Sequence, residues 1–309
     1  MSRALTLALL SVLLLSAGCR EEPPAPAPEP QQELCFNTAP EFSGNNAYLH
    51  CRNICALGPR LSGSPAYTAQ VEYLEKHLHQ TGWETTRDTF VVRGISMTNL
   101  RARKAAQQQS APVVLLSCHI DTKRDIAPDF QSADDGASGA AVLLELARTL
   151  PAELAADTEL IFLDGEESFA PRMSEQDGLY GSRFDVARRK KATQLPRYQI
   201  NLDMVGGRQK TIAPPSMETS DFMYAHYTAS VRELGLDPTR WSIWPGSYMD
   251  DHLPYLEAGV DSLNLIADFL GSSWWHTTGD NMNRICPRSL EESGRMTRHL
   301  LQRLLQSRS

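Results

Sequence analysis

Apolar residues recur along the chain in two spacings. Within residues 66–82, Val71, Leu74 and Leu78 lie three to four positions apart, and residues 139–150 show the same spacing. Apolar positions at this interval share one face of a helix, so helices are predicted over 66–82, 139–150 and 288–306. Strands are predicted at six apolar or alternating runs: 86–92, 98–104, 112–118, 159–163, 198–202 and 263–266.

The order of these elements indicates a fold class. Continuous apolar runs such as Pro112–Cys118 are typical of strands buried on both faces. Strands that alternate with helices favour an α/β sandwich, with a mostly parallel central β-sheet flanked by helices. From about residue 35 onward no second linker, internal repeat or low-complexity tract interrupts the pattern. We therefore predict a single domain over 35–309.

The N-terminal region has the pattern of an export signal. Arg3 precedes an apolar run from Ala4 to Ala17, which is too short for a bilayer span of roughly 20 residues and suits a signal peptide over 1–18. The sequence Ser16-Ala17-Gly18-Cys19 resembles the lipobox of bacterial lipoproteins, in which Cys19 would carry the lipid. An ordinary signal cleaved near Ala17 is the alternative.

The residues after this signal predict a location. Residues 19–34 are Pro-rich and polar, which is typical of a semi-rigid tether. Arg20 follows the candidate lipid-bearing cysteine, where an Asp would resemble inner-membrane retention. We expect a bacterial envelope protein, held by a lipid anchor on the outer membrane and facing the periplasm.

Composition narrows the possible partners. The chain is 41% apolar and 22% charged, as in a soluble globular protein, and its net charge is -7. It has no long Lys/Arg block, so nucleic acid is not an expected partner. The only predicted membrane contact is the lipid anchor. An oxidising compartment favours a disulfide, with the pairing left open among Cys35, Cys51, Cys55 and Cys286.

Five apolar elements each lead to a histidine or a carboxylate. The residues are His119 and Asp121, Asp134 and Asp135, Glu166 and Glu167, Asp203, and Trp275 with His276. Because parallel strands gather their carboxyl ends at one edge of a sheet, we expect these side chains to meet. Imidazole nitrogens and carboxylate oxygens suit Zn²⁺, so the sequence predicts a zinc site.

Two roles near this site follow from spacing. Glu166 and Glu167 are adjacent at a strand end, so one can bind metal while the other acts as a general base. Asp121 lies two residues beyond His119 and is expected to accept its second ring N–H, which would fix the tautomer.

Several motifs resemble the M28 family of zinc peptidases and its relatives, the animal-type glutaminyl cyclases. The resemblance covers about residues 50–305 and begins with Gly58-Pro-Arg-Leu-Ser-Gly-Ser-Pro65, which is common to both branches. Asp135-Gly-Ala-Ser-Gly139 has the peptidase form. The cyclase forms are Gln176-Asp-Gly-Leu-Tyr-Gly-Ser-Arg183, Asp250-Asp-His-Leu-Pro254 and Trp275-His-Thr277.

The cyclase branch implies one zinc ion, held by Asp135, Glu167 and His276. In this interpretation Glu166 shuttles a proton within a hydrogen-bonded acid network that includes Asp203 and Asp250, and His119 binds no metal. Trp275 would form a wall of the substrate pocket. The implied reaction converts the N-terminal Gln of a peptide or protein into pyroglutamate with release of ammonia, and we favour it.

The peptidase branch implies two zinc ions and is the alternative. His119 and Asp203 would then bind the second ion, Asp135 would bridge the pair, and Glu166 would act as the general base of an aminopeptidase. Two departures from the cyclase pattern also matter. Residues 168–175 lack the expected Trp, for which Trp274 or Phe169 could substitute, and Ala140 occupies the position of the disulfide partner of Cys118, which implies a free buried thiol.

Overall fold

The computed structural model of the protein describes residues 35–104, 110–208 and 210–307. The chain from Cys35 onward forms one compact unit. The predicted signal over 1–18, the lipidated Cys19 and the tether over 19–34 lie outside the described residues. Within the described ranges, we find no helix whose length and apolar content would let it cross a bilayer.

Six strands form one sheet, and every predicted strand is confirmed. Strand order is β1-β2-β4-β3-β5-β6. Strands β3 to β6 are mutually parallel, whereas β1 and β2 pair antiparallel at one edge. The strands are β1 (Glu84–Val92), β2 (Ile95–Arg103), β3 (Val114–His119), β4 (Thr158–Leu163), β5 (Tyr198–Asp203) and β6 (Asp261–Ile266).

The three predicted helices are confirmed as α2, α3 and α8. Helix α1 was not predicted from the sequence. Ser43, Ser64 and Ser220 each accept a backbone N–H at the start of α1, α2 and α6, which satisfies an amide that the helix itself leaves without an acceptor. The described helices are α1 (Gly44–Cys55), α2 (Pro65–Gln80), α3 (Ala137–Thr149), α4 (Ala152–Ala155), α5 (Tyr180–Ala192), α6 (Asp221–Glu233), α7 (His252–Glu257) and α8 (Pro287–Gln306).

Helices cover both faces of the sheet. Alternate residues of β3 separate the two cores: Leu116 and Cys118 pack with α1, α2, α3, α6 and α8, whereas Leu115 packs with α5 and α7. The central parallel strands β3, β4 and β5 are buried along their whole length. This confirms the predicted sandwich and points the carboxyl ends of β3 to β6 to one edge.

The predicted disulfide is wrong for the cysteines that the structure describes. Cys35, Cys51, Cys55, Cys118 and Cys286 are all free. Cys51 and Cys55 lie one turn apart on α1 and are buried, and the Cys51 thiol donates instead to the Ala133 carbonyl at 3.3 Å. Cys118 is a buried thiol, as the resemblance implied, and burial raises its pKa.

Gly139 sets how closely α3 approaches the sheet. A Cβ at this position would lie 2.6 Å from the Leu202 carbonyl oxygen and 2.8 Å from the Cβ of Cys118. Both contacts involve atoms of central strands, which cannot move away without disturbing the sheet. Since α3 begins two residues after Asp135, this approach also affects where that carboxylate lies.

We predict that Gly139→Ala destabilises the protein. Overpacking of this kind costs about 1–3 kcal/mol, whereas replacing Gly by Ala in a helix otherwise stabilises by up to about 1 kcal/mol. The sign of the change in the free energy of unfolding, measured by urea denaturation, therefore decides between the two effects. A more stable variant would show that α3 has room to move away from the sheet.

Candidate metal centre and active site

The carboxyl edge of the sheet gathers five of the predicted residues. His119 Nε2 lies 3.0 Å from Asp135 Oδ1 and 3.2 Å from Asp203 Oδ1. His276 Nε2 lies 3.1 Å from Glu167 Oε1 and 3.4 Å from Asp135 Oδ2. Two groups of side chains could each hold a metal ion, and Asp135 belongs to both: His119, Asp135 and Asp203, and Asp135, Glu167 and His276.

Asp135 is held in place through its backbone. The carboxylate of Asp280 accepts the N–H groups of Asp134 at 2.8 Å and of Asp135 at 3.1 Å. The next residue, Gly136, has φ +96°, and a Cβ there would lie 3.2 Å from the His119 ring. A glycine is therefore required where the chain turns away from the histidine.

Asp121 orients the segment that carries the two glutamates. Its carboxylate accepts the backbone N–H groups of Glu166 at 3.1 Å and of Glu167 at 3.2 Å. Its distance to His119 Nδ1 is 3.6 Å, longer than a hydrogen bond, and within the described residues this nitrogen has no hydrogen-bond partner. Asp121 therefore does not make the expected hydrogen bond to His119. Its carboxylate instead fixes the Glu166–Glu167 backbone by accepting both N–H groups.

Glu166 faces a cavity of about 560 Å³ that Asp135, Glu167, Asp203 and His276 also line. Burial raises the pKa of the Glu166 carboxyl well above its ordinary value; His119 opposes this rise, and the neighbouring carboxylates add to it. In the described part of the chain its side chain accepts no hydrogen bond. A buried carboxyl with a raised pKa beside a metal-type cluster is suited to proton transfer.

Asp203 and Asp250 occupy different depths. Asp203 lines the cavity, and burial raises the pKa of its carboxyl. Asp250 lies behind it, where its oxygens accept the side-chain amides of Asn201 at 3.1 Å and Asn264 at 2.7 Å. No hydrogen bond between described residues joins Asp250 to Glu166 or Asp203. Asp250 therefore acts on Glu166 through its charge, which helps to raise the pKa of the Glu166 carboxyl, rather than through the hydrogen-bonded network that the resemblance implies.

The histidines balance part of this negative charge. Burial alone would lower the pKa of His276, but Asp135 and Glu167 raise it to about 10. Asp135 shows the reciprocal effect, since both histidines hold the pKa of its carboxyl below the usual range although burial opposes them. The cluster thus favours bound cations, whether protons or a metal ion.

Comparison with known proteins decides the family. Residues 99–301 match the profile of peptidase family M28. The chain belongs to this family. The M28 chain is 30% identical over 273 residues to a bovine glutaminyl-peptide cyclotransferase-like protein, covering 77% of this chain and 70% of the relative. The resemblance found in the sequence is confirmed.

Solved structures agree with this assignment. Porphyromonas gingivalis glutaminyl cyclase is 25% identical with a TM-score of 0.75, covering 85% of this chain and 98% of that one. Acidobacteriales bacterium glutaminyl cyclase has the same identity and TM-score, covering 90% and 100%. The six-stranded sandwich is thus the fold of known M28-type enzymes.

Aromatic and apolar side chains form the cavity wall of this M28 chain. Trp275 stacks on the His276 ring with centroids 3.9 Å apart and contacts Phe269 at 4.6 Å. Trp275, Phe269 and Met249 all line the cavity. Trp275 therefore lies where the sequence predicts a substrate wall, and Phe269 extends it.

Neither candidate substitute for the missing cyclase Trp lines this cavity. The Trp274 ring lies under the guanidinium of Arg284, 3.5 Å from the ring centroid. Phe169 contacts the guanidinium groups of Arg93 and Arg124 at 4.7 and 4.9 Å. The side chains facing the cavity from this part of the chain are instead those of Pro171, Arg172 and Met173.

Lys123 is a site residue that the sequence analysis missed. Its ammonium group donates to the Ser168 carbonyl and hydroxyl at 2.8 and 2.6 Å and to the Ala170 carbonyl at 2.9 Å. It also lies 3.5 Å from Glu167 Oε2, opposite the oxygen that faces His276. Lys123 is buried and lines the cavity, so it holds both the glutamate and the loop that follows.

We predict that Asp280→Asn weakens metal binding. The amide would present one acceptor and one N–H₂ donor to two backbone N–H groups, so one of them loses its partner and Asp135 shifts. Loss of such a supporting contact lowers metal affinity by about ten- to a hundredfold. The zinc dissociation constant, measured by competition with a chelator, reports the change.

Asp268→Asn provides the matched control, since Asp268 is exposed and does not line the cavity. Equal zinc affinity in wild type and Asp280→Asn would show that the backbone clamp is not needed to place the ligands.

Proposed function

We propose that this protein is a zinc-dependent glutaminyl-peptide cyclotransferase. It converts the N-terminal Gln of peptides or proteins into pyroglutamate and releases ammonia. The observation that carries the proposal is the cluster of Asp135, Glu167 and His276 beside the buried Glu166 carboxyl in one cavity. The similarity to proteins named glutaminyl-peptide cyclotransferase and glutaminyl cyclase supports the same reaction.

The donor set fits zinc. Imidazole nitrogens and carboxylate oxygens both bind zinc, and catalytic zinc sites use three protein ligands, which leaves a position for substrate. The ligand atoms of the three side chains all lie within 4.8 Å of one another. Their excess negative charge also favours a divalent cation.

The reaction requires a nucleophile that the substrate itself carries. The α-amine attacks the γ-carbonyl carbon of Gln, so that a C–N bond forms within the substrate and the C–N bond to the side-chain nitrogen breaks. Zinc, when bound, supplies a Lewis acid that polarises this carbonyl. No water molecule takes part in the chemistry.

Glu166 carries the proton between the two nitrogens. Its carboxylate takes a proton from the attacking amine and returns it to the departing nitrogen, which leaves as ammonia. The raised pKa of this carboxyl suits both steps. Glu167 and Asp250 contribute to this rise through their charges, and Trp275 forms a wall beside the Gln side chain.

A second candidate function is a two-zinc aminopeptidase. The specific observation in its favour is that His119, Asp135 and Asp203 form another group able to hold a metal ion. Glu166 would then remove a proton from water, and the products would be a free amino acid and a shortened peptide. The two candidate functions also differ in metal content: the cyclotransferase would bind one zinc ion per chain, and the aminopeptidase would bind two.

We predict that the purified protein releases ammonia from the Gln side chain of the dipeptide Gln-Ala amide. The variant Glu166→Gln should lower kcat for this reaction by about 10²–10⁴-fold. The glutamine cannot take up the proton, while Asp135, Glu167 and His276 remain to bind zinc. Ammonia is measured with a coupled enzyme assay, and zinc per chain by mass spectrometry. Removal of zinc with a chelator should abolish the activity, and added zinc should restore it.

Glu175→Gln is the matched control, because Glu175 is exposed in the same region and does not line the cavity. Hydrolysis of a Leu-initiated peptide in parallel tests the alternative. Hydrolysis without ammonia, together with two zinc ions per chain, would replace the cyclotransferase with the aminopeptidase.

We further propose that the enzyme is a lipoprotein of the bacterial outer membrane, anchored through Cys19 and facing the periplasm. The support is the lipobox-like Ser16–Cys19 segment followed by a Pro-rich tether. A tether of this kind would hold the catalytic domain away from the bilayer, where the N-termini of exported proteins can reach it.

We predict that Cys19→Ala abolishes labelling with a palmitate analogue and moves the protein from the membrane fraction to the soluble periplasmic fraction. Cys35→Ala is the control, since it removes an exposed cysteine that lies outside the lipobox. Unchanged labelling of Cys19→Ala would contradict the anchor, and soluble wild-type protein would favour the ordinary signal peptide.

A further inference from the structure

The loop over 168–177 forms one wall of the active-site cavity. It follows the two glutamates directly, and its tip is Pro171-Arg172-Met173, whose side chains line the cavity together with Glu166 and Trp275. This is also the loop that lacks the Trp expected from the cyclase resemblance. Its tip therefore contributes cavity surface that the expected Trp does not account for.

Hydrogen bonds hold this loop on both sides of the tip. The Asp177 carboxylate accepts the backbone N–H groups of Phe169 and Ala170, each at 2.9 Å. The Lys123 ammonium group binds the carbonyls of the same segment from the other side. On the far side of the tip, the backbones of Ser174 and Asp177 exchange two hydrogen bonds of 3.1 and 3.0 Å.

Gly178 closes the loop against its tip. A Cβ at Gly178, which has φ +117°, would lie only 2.7 Å from Met173 Cγ. The tip is therefore packed against the base of the loop as well as hydrogen-bonded on both sides. These contacts fix the backbone position from which the Arg172 side chain extends.

Two cations line the cavity, and they differ in availability. Lys123 is buried and uses its three N–H donors on Ser168 and Ala170. Arg172 is exposed, and in the described structure it makes no hydrogen bond or ion pair. The carboxylates of the cavity belong to the metal-type cluster and to Glu166. Arg172 thus brings an uncompensated guanidinium to the wall of a cavity whose other wall is aromatic.

We propose that Arg172 binds a carboxylate of the substrate beyond its N-terminal Gln, so that the enzyme favours peptides that carry a carboxylate close to that Gln. This inference rests on the proposed cyclotransferase function. With Gln at the cluster, an extended peptide advances by about 3.3–3.6 Å per residue, so its second and third residues pass the cavity walls. A guanidinium group binds a carboxylate through two parallel N–H···O bonds, and Phe269, which also lines the cavity, contacts the apolar part of the same residues.

Two sources can supply this carboxylate. In a protein or long peptide it is the side chain of Asp or Glu near the N-terminus, whereas in a dipeptide it is also the free C-terminus. Two substrate pairs separate these sources. Gln-Glu amide and Gln-Gln amide differ in a side-chain carboxylate, whereas Gln-Ala with a free C-terminus and Gln-Ala amide differ in the C-terminal carboxylate.

The test is the ratio of kcat/KM within each substrate pair, measured by ammonia release. In wild type we expect the acidic member of at least one pair to be favoured about two- to fivefold, the range of partly exposed ion pairs. The preference should fall toward unity in Arg172→Gln, persist in Arg172→Lys, and weaken at high ionic strength. Arg295→Gln is the control: it removes the same charge from an exposed position on α8 that does not line the cavity, and should leave both ratios unchanged.

Each outcome decides the inference. A preference in the Gln-Glu pair identifies side-chain recognition, and one confined to the Gln-Ala pair identifies the C-terminus. An acidic preference that survives in Arg172→Gln, or a wild type that shows none while releasing ammonia from every peptide, overturns the role of Arg172 and leaves the cyclotransferase standing. Absence of ammonia from all four peptides would remove the proposed function, and this inference with it.

Discussion

The repulsion between buried carboxylates at the end of the sheet is the constraint on which the rest of the structure depends. Four carboxyl groups share one cavity with two imidazoles close by: Asp135, Glu166, Glu167, Asp203, His119 and His276. Burial of so much like charge destabilises the fold unless cations approach it. The parallel strands bring these groups together. Core packing and cation binding must therefore offset the free-energy cost of burying these like charges close to one another.

One type of backbone contact recurs three times around the cluster. Asp121, Asp280 and Asp177 each accept two consecutive backbone N–H groups, from 166–167, 134–135 and 169–170 respectively. Each aspartate thus fixes the direction of a dipeptide through its backbone amides, without a hydrogen bond to the side chains that carry the chemistry. Lys123 adds a buried ammonium group to the cavity, and it binds both Glu167 and the loop beyond.

These contacts between aspartates and distant backbone amides also explain which site residues the sequence could predict and which it could not. Strand positions and the approach of His119 to Asp203 follow from hydrophobic runs, because a buried parallel strand has one carboxyl end and the sheet aligns these ends. Asp280 could not be found this way, since its partners are backbone amides 145 and 146 residues earlier in the chain. Lys123 was equally hidden, because a lysine near a strand end usually faces solvent. The predicted disulfide failed because Cys51 and Cys55 pack into the core from the same helix.

Asp135 is the residue through which one scaffold can support two chemistries. Its Oδ1 faces His119 and its Oδ2 faces His276, so either oxygen can bind a metal ion independently. Whether a second ion binds depends on Asp203, which is a ligand only when ionised. Burial raises the pKa of that carboxyl, and Asp250 adds to the rise although His119 opposes it. Asp250, which lies behind the cavity, therefore acts on the second group of candidate ligands through its charge, without being a member of either group.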